Sequence, residues 1–220
     1  MDLIDRKIIC ELDANSRIPI SQLAKKLRIG RNVAAYRIKN LEQNSVIRKY
    51  ISTVNLGKLG YRTYRIYLKI QQNKISEKRF VKSLIENRSV IYCIKLEGYY
   101  DYSISIAVKN VRELDEFIMD LKSEFKDLVK EYLLSIVVYT KIFKANNLLL
   151  NSNPDIKMEK YSGEDTKINI DEKDKKILKI ITQASNMSLI DIAKKSKLSV
   201  DVVNYRLKQL NKNLISSNRV

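Results

Sequence analysis

Apolar residues in the first part of the chain recur at three- and four-residue intervals, the period of helices that bury one face. Ile4, Ile8 and Leu12 mark a first helix, Leu23, Ala24 and Leu27 a second, and a third runs from about Arg31 to Asn44. Arg28-Ile29-Gly30 separates the second from the third as a short turn of the helix-turn-helix kind, with Gly30 placed to cap the third helix. Val46 to Ser52 then reads as the first strand of a wing.

From Tyr61 to Gln71 the period shortens to two, and Tyr64, Ile66, Leu68 and Ile70 share one face of a strand. Phe80, Val81, Leu84 and Ile85 form the stripe of a helix. Val90 to Leu96 and Tyr102 to Val108 read as two strands joined through Glu97-Gly98-Tyr99-Tyr100-Asp101. A second helix carries Leu114, Phe117, Ile118, Leu121 and Phe125, and Glu131 to Phe143 reads as the last strand, giving the order βαββαβ. Both helices of such a unit cover one sheet face. The last strand is nevertheless apolar on both sides, with Tyr132, Leu134, Ile136 and Val138 on one and Leu133, Val137 and Tyr139 on the other. Two-sided burial predicts a partner sheet from a second copy, a homodimer or higher homo-oligomer.

Ala145 to Asn169 brings Asn, Ser, Pro154, Gly163 and mixed charge without a period, the composition of a linker. Beyond it the opening pattern returns. Asp5-Arg6-Lys7-Ile8-Ile9 and Asp174-Lys175-Lys176-Ile177-Leu178 begin two segments that stay in register without a gap through Leu41 and Leu210. Ser16 falls with Ser185, Ala24-Lys25-Lys26 with Ala193-Lys194-Lys195, Tyr36-Arg37 with Tyr205-Arg206, and Lys39 with Lys208. Ser199 takes the place of Gly30 and is the better cap. The expected fold class is α+β: an N-terminal winged helix-turn-helix over 1–55, a central βαββαβ ferredoxin-like domain over 60–145, a linker over 146–169, and a C-terminal helix-turn-helix over 170–220 whose wing is incomplete.

Composition narrows the chemistry. Lys and Arg total 42 against 25 Asp and Glu, a formal charge of +17, which points to a polyanion unless the lysines merely solvate the surface. Histidine is absent, which removes imidazole bases and the usual zinc and haem ligand sets, and the five glycines form no phosphate-binding loop. No metal, cofactor or catalytic residue is expected. Cys10 and Cys93 lie in apolar contexts and read as buried free thiols. The sequence has neither a membrane-spanning apolar run nor signal-peptide order at Met1 to Arg6, so a cytoplasmic protein is expected.

On a helical wheel Val33, Ala34, Ile38 and Leu41 fall on one side of the third helix, and Arg31, Asn32, Ala35, Tyr36 and Lys39 on the other. The second group suits double-stranded DNA: Arg for guanine, Asn for adenine, Ala for a thymine methyl, Tyr and Lys for phosphate or base edges, with Arg48 and Lys49 on the wing for the backbone. The plainer alternative is a solvated polar face. In the second copy the outward group is Val200, Asp201, Asn204, Tyr205 and Lys208, so an anion replaces Asn32; that copy is expected to bind DNA more weakly or to serve protein contacts. Arg37 and Arg206 face their own folds, and Asp5 and Asp174 are the partners expected for them, with a phosphate role as the rival.

Asp5 to Ile9, Ile20-Ser21-Gln22-Leu23-Ala24, Tyr36 to Glu42 and Val46-Ile47 together resemble the winged helix of the Lrp/AsnC family of transcriptional regulators. The resemblance extends into the middle of the chain and implies a ligand-sensing and oligomerising domain there. Gly98-Tyr99-Tyr100-Asp101 resembles the family's Gly-x-x-Asp turn, near which small effectors, often amino acids, bind. Gly98, Tyr100 and Asp101 are the effector candidates on that ground, although a turn held by an Asp side chain explains the residues without a ligand. The function so implied is a sequence-specific, DNA-binding transcription regulator. Two alternatives stand beside it: a weakly specific architectural DNA-binding protein, and an enzyme like the siroheme decarboxylases, whose resemblance implies an active-site histidine that this chain lacks.

Overall fold

The computed structural model describes residues 1–71, 74–142, 149–150, 159–162 and 167–220. The chain forms two compact units, one of Met1–Asn55, Lys141–Lys160 and Ile168–Val220 and the other of Leu56–Thr140 and Tyr161–Lys167.

In the first unit helices α1 (Leu3–Ala14), α2 (Ile20–Leu27) and α3 (Arg31–Gln43) lead into strand β1 (Ile51–Val54). Ile8, Leu12, Leu23, Leu41 and Ile47 are buried together, the residues whose helical spacing marked the three stripes. The second copy repeats this as α6 (Glu172–Ile181), α7 (Leu189–Ser196) and α8 (Val200–Asn213), followed by strand β8 (Ile215–Arg219). Its Ile177, Ile181, Ile192 and Leu210 are buried at the equivalent places. Each copy starts with a reciprocal cap. Asp2 accepts from the Asp5 backbone N–H while the Asp5 side chain accepts from that of Asp2, and Asp171 and Asp174 do the same. Both turns close on a cation in the left-handed region, Arg28 at φ 55° and Lys197 at φ 57°. Gly30 then caps α3 through its backbone alone, whereas the Ser199 hydroxyl accepts from the Val202 N–H.

The expected wing differs. Val46 to Tyr50 is not a strand, and β1 starts only at Ile51. A strand needs a ladder partner for its N–H and C=O groups, and the partner of β1 is β8 of the other copy, antiparallel to it. The two copies therefore complete one ribbon between them.

In the second unit strands β2 (Arg62–Ile70), β3 (Val90–Lys95), β4 (Tyr102–Val108) and β5 (Val129–Ile136) form an antiparallel sheet in the order β3-β4-β2-β5. Helices α4 (Lys74–Glu86) and α5 (Val111–Glu124) bring Phe80, Leu84, Leu114, Phe117 and Leu121 onto Tyr64, Ile66, Leu68, Ile104 and Ile106. The last strand ends seven residues before Phe143, which lies outside the described residues. Its ladder runs out: Ile136 pairs with Tyr64, Val137 donates to the Thr63 carbonyl, and β2 begins at Arg62. Strand β6 (Tyr139–Ile142) pairs instead with β7 (Glu159–Ser162), a strand inside the segment read as linker. Two further expectations are corrected. Cys93 is exposed, because β3 is an edge strand with a neighbour on one side only, and Val33 is 45 % exposed although the wheel placed it inward.

Candidate nucleic-acid interface

Helix α3 turns two kinds of side chain in two directions. Ala34 and Leu41 are buried and Ile38 packs against the core, which fixes the rotation of the helix. On the opposite side Arg31, Asn32, Tyr36 and Lys39 are exposed, with Ala35 half-buried between them. The candidates thus share one face. Arg48 and Lys49 are also exposed, but in the irregular segment that enters β1 and not on a wing strand. Exposed Lys25 and Lys26 at the end of α2 and Arg28 in the turn add cations that were not among the candidates. Lys26 is engaged with Glu11 at 2.5 Å.

Arg37 does not join this face. Its guanidinium reaches Asp2 at 2.7 Å and Asp5 at 2.8 Å, and its side chain is 26 % exposed. The hydrogen bonds that Arg37 donates to Asp2 and to Asp5 push its pKa up. The backbone N–H of Asp5, and after it the Arg37 guanidinium, holds the Asp2 carboxyl below its ordinary value. Arg206 repeats the arrangement with Asp171 at 2.5 Å and Asp174 at 3.1 Å. The sequence reading found Asp5 and Asp174 but missed Asp2 and Asp171. The signal was present as Asp-x-x-Asp ahead of both first helices, the spacing of a capped N-terminus.

The effector candidates lie in the second unit. Gly98 has φ +151° and open space where a Cβ would stand, so the turn favours glycine through its backbone. The Asp101 carboxylate accepts from the Ile70 N–H at 2.8 Å and lies 3.5 Å from the Lys69 ammonium. Tyr100 packs against the Tyr67 ring, and Tyr99 and Tyr100 both direct their hydroxyls to Glu131, at 2.8 and 3.4 Å. The bond to Glu131 raises the Tyr99 pKa, while burial is the first cause at Tyr100. Lys69, Glu131 and Tyr67 were missed. They come from other strands, and only the pairing of Lys69 with Glu131 across β2 and β5 brings them to the loop.

Three-helix units with a solvent-facing cationic third helix, joined to an antiparallel βαββαβ sheet, define a DNA-binding regulator. The profile of a family described as winged helix-turn-helix DNA-binding matches residues 1–48 and 170–213. The HTH-type transcriptional regulator FL11 of Pyrococcus furiosus is 30 % identical over 119 residues, which span 54 % of this chain and 78 % of that protein. An AsnC family transcriptional regulator from Agrobacterium tumefaciens shares the fold with a TM-score of 0.61 at 21 % identity, over 68 % of this chain and 100 % of that one. The chain belongs to the Lrp/AsnC family of transcriptional regulators. The siroheme decarboxylase NirDL also shares the fold, with a TM-score of 0.64 at 16 % identity, over 99 % of this chain and 65 % of that one. Among the described residues no helix is long and apolar enough to cross a membrane.

Proposed function

We propose that α3 is the base-reading element of this regulator, with Arg31 on guanine, Asn32 on adenine, Ala35 against a thymine methyl, and Tyr36, Lys39, Arg48 and Lys49 on phosphates or base edges. One observation carries the reading. The polar side chains of α3 named here stand in solvent, while Arg37 is taken up by Asp2 and Asp5 within the fold. Histidine, the residue that likeness to the siroheme decarboxylases implies for an active site, is absent, which favours a regulator acting on double-stranded DNA in the cytoplasm over that enzyme.

The central sheet supports dimerisation. Its helix-free face carries Ile94, Tyr67 and Leu133 in one cross-strand row, and Ile94 is 45 % and Leu133 47 % exposed, an apolar surface that a second copy would cover. Val137→Asp, which places an unpaired charge there, turns the dimer into monomer in sedimentation; a folded, dimeric variant would place the interface elsewhere. Near this sheet Glu131, Asp101, Lys69 and the Tyr99 and Tyr100 hydroxyls offer both signs of charge, the match for a zwitterionic amino acid with Gly98, Tyr100 and Asp101 at the turn.

The test of the regulator reading is the ratio of affinities for selected and random duplex at one salt concentration. A regulator reaches a ratio of about 10³ or more. A ratio near one would leave an architectural DNA-binding protein, as the charge alone allows.

A further inference from the structure

The two helix-turn-helix copies are bonded to each other in a pattern that has a two-fold axis. The Ser16 N–H donates to the Asn218 carbonyl at 2.8 Å, and the Ser185 N–H donates to the Tyr50 carbonyl at 2.9 Å. Ser16 and Ser185 are equivalent in the repeat, so these two bonds put Tyr50 and Asn218 at equivalent places, one residue off the gapless register that the helices keep. The next residues, Ile51 and Arg219, are each other's partners in the β1–β8 ladder. Ser16 and Ser185 also meet each other, hydroxyl to hydroxyl, at 2.6 Å in a buried setting. Two equivalents that bond to one another lie on the axis relating them, and here two separate pairs do so. Arg17 donates to the Ser185 carbonyl and Val220 packs on the first copy's core, so the contact is a built interface.

Isologous pairing of this kind is what presents two recognition helices to successive half-sites of a duplex. The surfaces of the two copies divide into what is kept and what is changed. Lys25, Lys26, Tyr36 and Lys39 recur as Lys194, Lys195, Tyr205 and Lys208, and Arg28 recurs as the cation Lys197; all ten are exposed. Arg31, Asn32 and Ala35 are replaced by Val200, Asp201 and Asn204. Kept cations serve a backbone that is the same in every sequence. Changed residues are those that meet base edges, where valine suits a thymine methyl, Asp accepts from cytosine, and Asn suits adenine.

We infer that one chain, through its own paired copies, reads an asymmetric operator made of two unlike half-sites, α3 on one and α8 on the other. This rests on the base-reading role proposed for α3. Tethering gives the second reader a high effective concentration at its half-site, which offsets the repulsion between Asp201 and phosphate.

The test selects sites for the full chain from a pool of random-sequence duplexes, beside the variant Val200→Arg/Asp201→Asn/Asn204→Ala, which gives α8 the α3 residues. The wild-type chain yields an element with two unlike halves, and the variant an element with two like halves in inverted orientation. Asp201→Asn alone changes the preference at one half by roughly 5- to 150-fold and leaves the other half as it was. Thermal unfolding of both variants at the wild-type temperature shows that these surface changes leave the fold intact. A wild-type element with one kind of half only, single or repeated, or a variant element identical to the wild-type one would overturn the inference while leaving α3 a reader. Absence of any enriched element would overturn the reading role of α3, and the inference with it.

Discussion

In the first helix-turn-helix copy Arg37 holds Asp2 and Asp5, and in the second Arg206 holds Asp171 and Asp174, with the same reciprocal cap on the first helix and the same left-handed turn. Yet where the first copy presents Arg31 and Asn32 to solvent, the second presents Val200 and Asp201. Residues that set the fold have stayed alike, and on the outward face of the third helix Tyr36 and Lys39 are kept while Arg31, Asn32 and Ala35 have diverged. The difference separates two roles that a single copy would have left mixed. Arg37 belongs to the architecture because its environment recurs, although a cation beside a recognition helix looks like a phosphate contact when seen once.

If the copies are structurally equivalent, deleting equivalent core volume weakens them alike. Ile8 and Ile177 are both fully buried at matching positions, so Ile8→Ala and Ile177→Ala each lower stability by about 2–5 kcal/mol in denaturant unfolding. Because both copies belong to one compact unit, each change shifts the same transition. Two resolved transitions, each sensitive to one substitution, would show that the copies fold apart.

The contact between the copies gives a smaller effect. Ser16→Ala leaves the buried Ser185 hydroxyl without its partner and lowers stability by about 1–3 kcal/mol, and Ser185→Ala does the same to Ser16. The double variant loses less than the sum, since it removes both members of one bond. Strict additivity would mean that the hydroxyls do not rely on each other.

The smallest effect concerns pH. Asp2 and Asp171 have folded pKa values below their ordinary 3.8, Asp2 through the Asp5 N–H and Arg37, Asp171 through the Asp174 N–H and Arg206. A depressed carboxyl contributes stability that is complete above its unfolded pKa and is lost as pH falls through the folded one. Stability therefore declines below about pH 4 by a part that Asp2→Asn and Asp171→Asn each remove. Urea melts between pH 5 and pH 2 with the same slope in wild type and in both variants would contradict this origin.

Much of this was legible in the chain. Helical spacing of Ile8, Leu12 and Leu23, alternation from Tyr64 to Ile70, and the register of the repeat each follow from a local period, and the structure has those elements. What escaped depends on pairing between distant segments. Ile51 to Val54 has no period of its own that names Ile215 to Arg219 as its partner, and the end of β5 is set by where β2 begins. The outward face of α3 was legible apart from Val33, whose placement turns on a few tens of degrees of helix rotation. Around the turn from Gly98 to Asp101 these two were visible as turn residues, but Lys69 and Glu131 reach them only through the sheet.

The most direct measurement compares Arg31→Ala with wild type on the selected operator and on random duplex at one salt concentration. Reading of guanine by Arg31 predicts a loss of about 1–3 kcal/mol on the operator and much less on random duplex, whose binding rests on the remaining cations. Equal losses on both would contradict the account, because they would show that Arg31 touches only phosphate.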